Sequence, residues 1–350
     1  MDVSEYLAGL LLVCSTLVAG QAAAATGQDR TLLWQSDTTS LRWSAQFGLN
    51  LVAERNLFWK LSDAVAPQEG FEPDTGWLEG YVKPGLSFEH GGRGATAYGR
   101  ISAVGSFTQG TDAFNATNAA AANLEEAYLG VRAPGQTPAL DVSIGPRELK
   151  LGSGMLIANG GSSGFERGAL KFGPRKAWRQ ALVARMHVNR AQATVFRIAP
   201  NELPSSEGNN RVAGADIRWD PEPGGYVGIS YIRVLESGSP YVRAAAGGLG
   251  PPVIIPGGRE GTKAVNLYFA VAPTFGPLKD WFISGDYARE RNERIDLRAW
   301  GGRAQLGYLF SALRWNPRIT LTHKSFSGDD PTTPALERFD PLYWDGSPST

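Results

Sequence analysis

The sequence predicts an all-β protein, an antiparallel transmembrane β-barrel of the outer-membrane type, and three observations predict it. Segments of about ten to fifteen residues recur in which apolar and polar side chains alternate with period two, the pattern of a strand with one apolar face. The connections between these segments alternate between short and long. Glycine (43) and aromatic residues (10 Trp, 11 Tyr, 15 Phe) are abundant, and beyond the N-terminus no run is long and apolar enough for a membrane-spanning helix.

The N-terminus comes first. An apolar core from Leu7 to Val18 runs into Ala22–Ala25, which reads as a signal peptide over residues 1–25, with small residues at the cleavage site. Its leading segment carries Asp2 and Glu5 where Lys or Arg is usual. The single cysteine, Cys14, lies inside this segment, so residues 26–350, read as the barrel domain, offer neither disulfides nor thiol chemistry. Lys+Arg and Asp+Glu balance at 34 each, and removing Asp2 and Glu5 leaves a small basic excess. Nonspecific nucleic-acid binding is not expected at such a charge.

The first strand, Leu41–Ala53, shows the alternation most clearly. Leu41, Trp43, Ala45, Phe47, Leu49 and Leu51 share one face, and Arg42, Ser44, Gln46 and Asn50 share the other. Strands follow at about 76–89, 95–108, 123–132, 139–149, 177–187, 191–199, 211–219, 225–235, 262–272, 278–289, 296–310 and 318–327, about 13 in all. Pro84 interrupts the second and should cost a ladder hydrogen bond unless a bulge absorbs it. The segment 191–199 shows no clear apolar face.

Short turns fall at His90–Gly94, Ala133–Pro138, Val188–Arg190, Asp220–Gly224, Pro273–Pro277 and Ser311–Pro317. Longer polar or Gly-rich loops lie near 55–75, 109–122, 150–176, 200–210, 236–261 and 290–295, the last of them modest. Gly168–Phe172 belongs to the loop, because a strand there would break the alternation. Outer-membrane barrels sort their connections in this way, with periplasmic turns short and extracellular loops long. A soluble β-sandwich would have shorter strands and no such sorting.

Two stretches resemble one family. Asp141-Val-Ser-Ile-Gly-Pro-Arg-Glu-Leu-Lys-Leu-Gly-Ser-Gly-Met155 resembles a strand motif of the alginate export family, with Pro146 before Arg147 where the family has Arg followed by Gln. Ser327-Gly328-Asp329-Asp330, followed by Phe339-Asp340-Pro341-Leu342-Tyr343, is similar to that family's signature loop, and Trp178–His187 matches another of its strands in position, without the FDG. The resemblance implies a monomeric 18-stranded barrel that passes polyuronate or another solute. It also implies further strands after the signature, whereas this chain reaches Thr350 seven residues after Tyr343. A C-terminally incomplete barrel is therefore expected, with the first and thirteenth strands left as edges.

With apolar faces toward lipid, parity places Arg42, Arg100, Arg132, Arg147, Arg185, Arg218, Arg303, Arg318 and Lys324 in the lumen. Glu54, Glu89, Glu126, Asp141, Asp216 and Asp286 face the same way, as do Tyr98, Tyr128 and Tyr268, the candidates for sugar contacts. Guanidinium groups pair bidentately with carboxylates, so such a lumen suits an anionic polymer, and interleaved acids keep each contact weak. The alternative is that these charges form ordinary lumen salt bridges. Trp43, Phe107, Trp178, Trp219, Trp281, Trp300 and Phe310 read as an outer aromatic girdle, with carbohydrate stacking as the alternative.

No catalytic constellation is apparent. His90, His187 and His323 lack metal-ligand spacing, and Ser325 and Ser327 beside His323 are ordinary loop-proximal serines. Asp329, Asp330 and Asp340 could bind calcium but also suit a solvated acidic loop. The expected function is a channel or exporter for an anionic or sugar-like solute. Neither cofactor nor reaction is expected, and the expected partners are outer-membrane lipid, the solute and the barrel-assembly machinery. A non-conducting structural or adhesive barrel and an outer-membrane enzyme are the alternatives.

Overall fold

The structure, a computed structural model, describes residues 31–56, 73–92, 94–113, 115–133, 138–161, 168–203, 207–221, 224–243, 251–330 and 332–344. The expected signal peptide with Cys14, and the last six residues, lie outside the described residues.

The strands are β1 (Leu32–Gln35), β2 (Thr39–Glu54), β3 (Thr75–Gly91), β4 (Thr96–Gly110), β5 (Ala120–Ala133), β6 (Ala139–Ile144), β7 (Gln180–Val188), β8 (Ala191–Ala199), β9 (Arg211–Trp219), β10 (Gly225–Glu236), β11 (Tyr241–Arg243), β12 (Val253–Ile255), β13 (Lys263–Val271), β14 (Trp281–Asn292), β15 (Leu297–Leu309) and β16 (Arg318–Phe326). Fourteen form one sheet in chain order from β1 through β10 and then β13 to β16, and every neighbouring pair whose register is resolved is antiparallel. The thirteen segments read from the sequence are β2–β10 and β13–β16.

The count is corrected in two places. β1 is a short strand folded back on β2, and β11 pairs with β12 as a separate hairpin inside a long connection. Neither is long enough to show a period. With β1 added, the first and last strands of the sheet run in opposite directions, which removes the parity obstacle an odd count would raise. Among the described residues no pairing joins β16 to β1 or β2.

Period two holds along the wall because lipid sets one face. Phe47 (78% exposed), Leu51 (81%) and Leu321 (72%) point outward, and so do Leu129, Val195, Ile217, Leu267 and Ile283. In water a continuous apolar surface of this extent would drive association; it has the character of the lipid-facing band of an outer-membrane barrel. β8 showed no apolar face because both of its faces carry apolar residues: Val195 points out, whereas Phe196 and Ile198 are buried inside.

Pro84 is accommodated without a slip on its own strand. The β2–β3 register runs unbroken through Ala45↔Pro84, and the β3–β4 ladder skips Lys83 and Pro84 and resumes in the same register at Gly85↔Ser102. The bulge sits one strand further on. There Ser102 pairs with Glu126 and Ala103 with Leu124, which leaves Glu125 as the extra residue. A bulge aims two successive side chains to one side, and here both Glu125 and Glu126 point inward and are buried.

Connections 55–74, 111–119, 145–179, 200–210 and 237–262 leave one end of the wall, and 92–95, 134–138, 189–190 and 220–224 leave the other. Asn189, at φ 51°, makes the two-residue turn between β7 and β8, a backbone conformation that Asn tolerates in hairpins. The length contrast reverses after β13, where 272–280 and 310–317 on the short-turn end exceed 293–296 on the other. If the end with the longer connections overall faces outward, as in outer-membrane barrels, 293–296 lies outside the cell and 272–280 in the periplasm. A cysteine replacing Glu293 should react with a membrane-impermeant maleimide on intact cells, and one replacing Phe275 should react only after permeabilisation; the opposite pattern would invert the topology.

Candidate functional site

The interior is organised by the connection between β6 and β7, which folds inward. The sequence marked residues 139–149 as one strand; the regular ladder ends at Ile144, and after a one-residue shift an isolated antiparallel bridge, Arg147↔Trp178, carries the pairing a little further. Gly145 follows at φ 122°, where a Cβ would meet the carbonyl of Ala127, and its N–H still bonds the carbonyl of Ala181; beyond Arg147 the chain leaves the wall and crosses the space inside it. Met155, Leu156, Ile157 and Trp178 on this connection are at most 1% exposed. Trp178 donates its indole N–H to the carbonyl of Leu149 at 3.0 Å. It therefore lies inside, and its expected place in the outer girdle is corrected: the pairing shifts by one residue between Ile144↔Leu182 and the bridge Arg147↔Trp178, so the parity of β7 does not carry back to 178. Trp43, Phe107, Trp219, Trp281 and Trp300 do face outward.

Carboxylates of the wall hold this loop. Glu125, on the bulge, accepts the backbone N–H of Lys176 at 2.6 Å and of Ala177 at 2.9 Å. It also receives Arg175 Nε at 3.3 Å and Lys83 Nζ at 3.4 Å, and Lys83 binds Glu148 at the start of the loop. Glu79 accepts the N–H groups of Lys171 and Phe172, both at 3.1 Å, and Trp77 Nε1 at 2.8 Å. Both carboxylates are fully buried, and a buried charge is tolerated only when hydrogen bonds or counter-charges replace its lost water.

Small residues permit the close approach. A Cβ on Gly48 would lie 2.8 Å from the Phe172 ring, and one on Gly152 would lie 2.8 Å from the Tyr268 ring. Ser153 donates to Asp286 on β14. One loop thus touches β2–β5 and, on another part of the wall, β13 and β14.

The segment after β16 completes the filling. Ile157 bridges to Tyr343, and Ala158 N–H and Tyr343 N–H bond the carbonyls of Tyr343 and Leu156, each at 3.0 Å. Tyr343 packs edge-on against Trp178 at 5.1 Å, and Phe339 stacks on Phe326 at 5.5 Å. Asp340 pairs bidentately with Arg259 at 2.5 and 2.8 Å. Burial alone would lower the Arg259 pKa, but the Asp340 charge raises it, so the guanidinium stays charged. Asp329 accepts the N–H groups of Glu337 and Arg338, and Asp330 caps Thr332. The three aspartates therefore serve separate loop contacts instead of converging. The residues that meet Tyr343 directly, Leu156 to Ala158, follow immediately after the stretch 141–155.

The expected lumen residues divide into three groups. Arg100 pairs with Glu126 at 2.6 Å, Arg132 with Glu89 at 2.5 Å, Arg218 with Asp220 at 2.7 Å and Arg303 with Asp286 at 2.8 Å. Arg318 lies over the Phe282 ring and Lys324 over the Trp344 ring. Arg42 faces inward beside Ser87, and Glu54 pairs with Lys171. Tyr268 faces inward but is 1% exposed, donating to Asp216 at 2.8 Å beneath Gly152.

The third group forms a patch on β4–β7. Asp141 lies opposite Arg132 on one side and Arg185 on the other, and it accepts the Tyr98 hydroxyl. Arg147 stacks over Tyr128 at 4.4 Å and donates to Ser143. Neither Arg147 nor Arg185 forms an ion pair within 4.0 Å among the described residues, and Arg147 Nε is buried without a hydrogen-bond partner. Sequence parity missed Lys83, Glu79, Glu125 and Arg175. The first two lie on a strand whose alternation Pro84 obscured, the third is displaced by the bulge, and the fourth belongs to a loop, where parity has no meaning.

No family model and no curated protein matches the chain. Solved structures similar to it include OmpF of Salmonella typhi, in complex with daunomycin, at 8% identity and TM-score 0.39, over 86% of this chain and 95% of that one. The outer membrane channel DcaP of Acinetobacter baumannii is similar at 11% identity and TM-score 0.34, over 84% and 93%. OccK7 of Pseudomonas aeruginosa is similar at 11% identity and TM-score 0.27, over 83% and 94%.

The Glu125 contacts predict a specific weakness. Glu125→Gln keeps the shape but leaves Lys83 and Arg175 without their shared counter-charge, and breaking a buried ion pair costs roughly 3–5 kcal/mol. Limited proteolysis should then cut within 150–178 much faster than in the parent. Glu89→Gln, which removes an exposed pair, should change stability by about 1 kcal/mol or less.

Proposed function

We propose that the chain is an outer-membrane channel narrowed by the inward connection 145–179, and that it draws in solutes carrying carboxylate or sugar groups. One observation supports this most: on an inner wall where Arg100, Arg132, Arg218 and Arg303 are neutralised by adjacent acids, Arg147 and Arg185 stand together without an ion pair, beside Tyr98 and Tyr128. Guanidinium groups bind planar carboxylates in a fork, and flanking tyrosines suit a sugar ring. Asp141 between Arg132 and Arg185 limits the strength of each contact, which transit requires.

This arrangement shifts the selectivity away from Arg100, Arg132 and Arg303, each already paired with an acid. Alginate and other polyuronates fit the chemistry as a class. The stretch 141–155 that resembles the alginate export family supplies Asp141 and Arg147 to this patch, and the stretch 327–343 packs inside the wall; the resemblance favours no particular solute. The arrangement needs no reaction.

A non-conducting structural barrel is the second reading, favoured by the apolar cluster of Leu156, Trp178, Phe196, Ile232 and Tyr343 that fills the interior toward the long-loop end. Planar-bilayer recording separates the two. The channel reading predicts steady conductance with a reversal potential favouring chloride over potassium, and loss of that preference in Arg147→Gln with Arg185→Gln. Cation preference in the parent would refute the anionic solute, and absence of conductance from a folded barrel would favour the structural reading.

A further inference from the structure

The outer face of the wall carries a charge pattern that the interior does not explain. Toward the end with the long loops, Arg233 on β10 lies directly opposite Lys263 on β13. Lys263 lies opposite Arg291 on β14, and Arg291 lies opposite Arg298 on β15. Four basic residues thus occupy one rung of four adjacent strands, all outward and exposed. With strands about 4.8 Å apart, the row spans roughly 15 Å. Arg289 lies one outward position below Arg291, and Arg197 on β8 is separated from Arg233 by the small Ala213.

Like charges directly opposite each other destabilise a sheet, and the acids at hand do not cancel these. Lys263 reaches Glu293 at 3.4 Å and Arg298 reaches Asp296 at 3.2 Å, both exposed pairs that contribute at most about 1 kcal/mol each. Arg197, Arg233, Arg289 and Arg291 form no ion pair within 4.0 Å among the described residues. Immediately beneath the row lies the apolar band, with Tyr231, Val265 and the stacked pair Tyr287–Trp300 at 6.3 Å. Aromatic rings above lipid chains mark the level of the headgroups. The short-turn end shows no such row: Trp219, Val271 and Trp281 lie outward there.

We infer that this row binds the headgroup of an outer-leaflet lipid carrying more than one phosphate, whose acyl chains lie along the apolar band below. A repeated anion fits a row of cations about one strand spacing apart, and guanidinium groups grip phosphate bidentately. Adjoining hydrocarbon selects a lipid over a free anion. The inference rests on the wall facing lipid and is independent of conductance.

The test is native mass spectrometry of the full chain in detergent micelles, titrated with diphosphoryl lipid A as the probe. The parent should retain it and release phosphatidylcholine. The variant with Arg233→Gln, Lys263→Gln and Arg291→Gln should bind it roughly a hundredfold more weakly, since each basic residue at an anionic lipid surface contributes about 1 kcal/mol. A second variant, Arg233→Lys with Arg291→Lys, should keep most of the binding, which separates loss of charge from loss of fold. Retention by the triple variant within about threefold of the parent would overturn the inference. So would equal retention of phosphatidylcholine, or displacement of lipid A by an equal concentration of inorganic phosphate.

Discussion

A carboxylate removed from water must recover in hydrogen bonds and counter-charges what hydration supplied, and Glu125 shows how much structure that requirement can organise. Its two oxygens collect two backbone N–H groups from the inward connection, one guanidinium from the same connection and one ammonium from the neighbouring wall. Glu79 makes a similar demand with two further backbone N–H groups. Four loop amides are thereby fixed against a rigid sheet. The position of Trp178, the docking of Tyr343 on it and the seating of the segment after β16 all depend on that fixed loop.

The bulge that makes this possible lies one strand away from Pro84, and the two are connected. Pro84 interrupts the β3–β4 ladder opposite Ala103, and Ala103 is where the β4–β5 register shifts. The local irregularity turns Glu125 inward beside Glu126, and Lys83, next to Pro84, reaches both Glu125 and Glu148. A residue that reads as a defect in a strand thus stands beside the chemistry that anchors the interior.

The wall was legible in the sequence because lipid on one side enforces period two. All thirteen long strands could be placed from residues such as Leu41 through Leu51 or Val265 through Val271. What escaped were features with no period. β1 and the β11–β12 hairpin are too short to show one, Glu125 sits out of phase, and the segment between Arg147 and Trp178 leaves the wall. Parity therefore placed Arg100 and Arg303 on the inner face without deciding between free cations and lumen salt bridges, and cross-strand acids neutralise them; it could not bring Arg147 and Arg185 together. The signature residues Phe339–Tyr343 were visible as a motif, but their partners Arg259, Leu156 and Trp178 lie far away in sequence.

The inner and outer faces use similar residues for different ends. Inside, arginines beside acids and tyrosines make a polar surface; outside, Arg233, Lys263, Arg291 and Arg298 line one rung of four adjacent strands. The central claim remains that buried carboxylates hold the connection 145–179 across the interior. Amide hydrogen–deuterium exchange on the folded protein tests it directly. The N–H groups of Lys171, Phe172, Lys176 and Ala177 should exchange as slowly as those of the wall strands, because each donates to a buried carboxylate. Exchange of these four at the rate of an exposed loop would contradict the account.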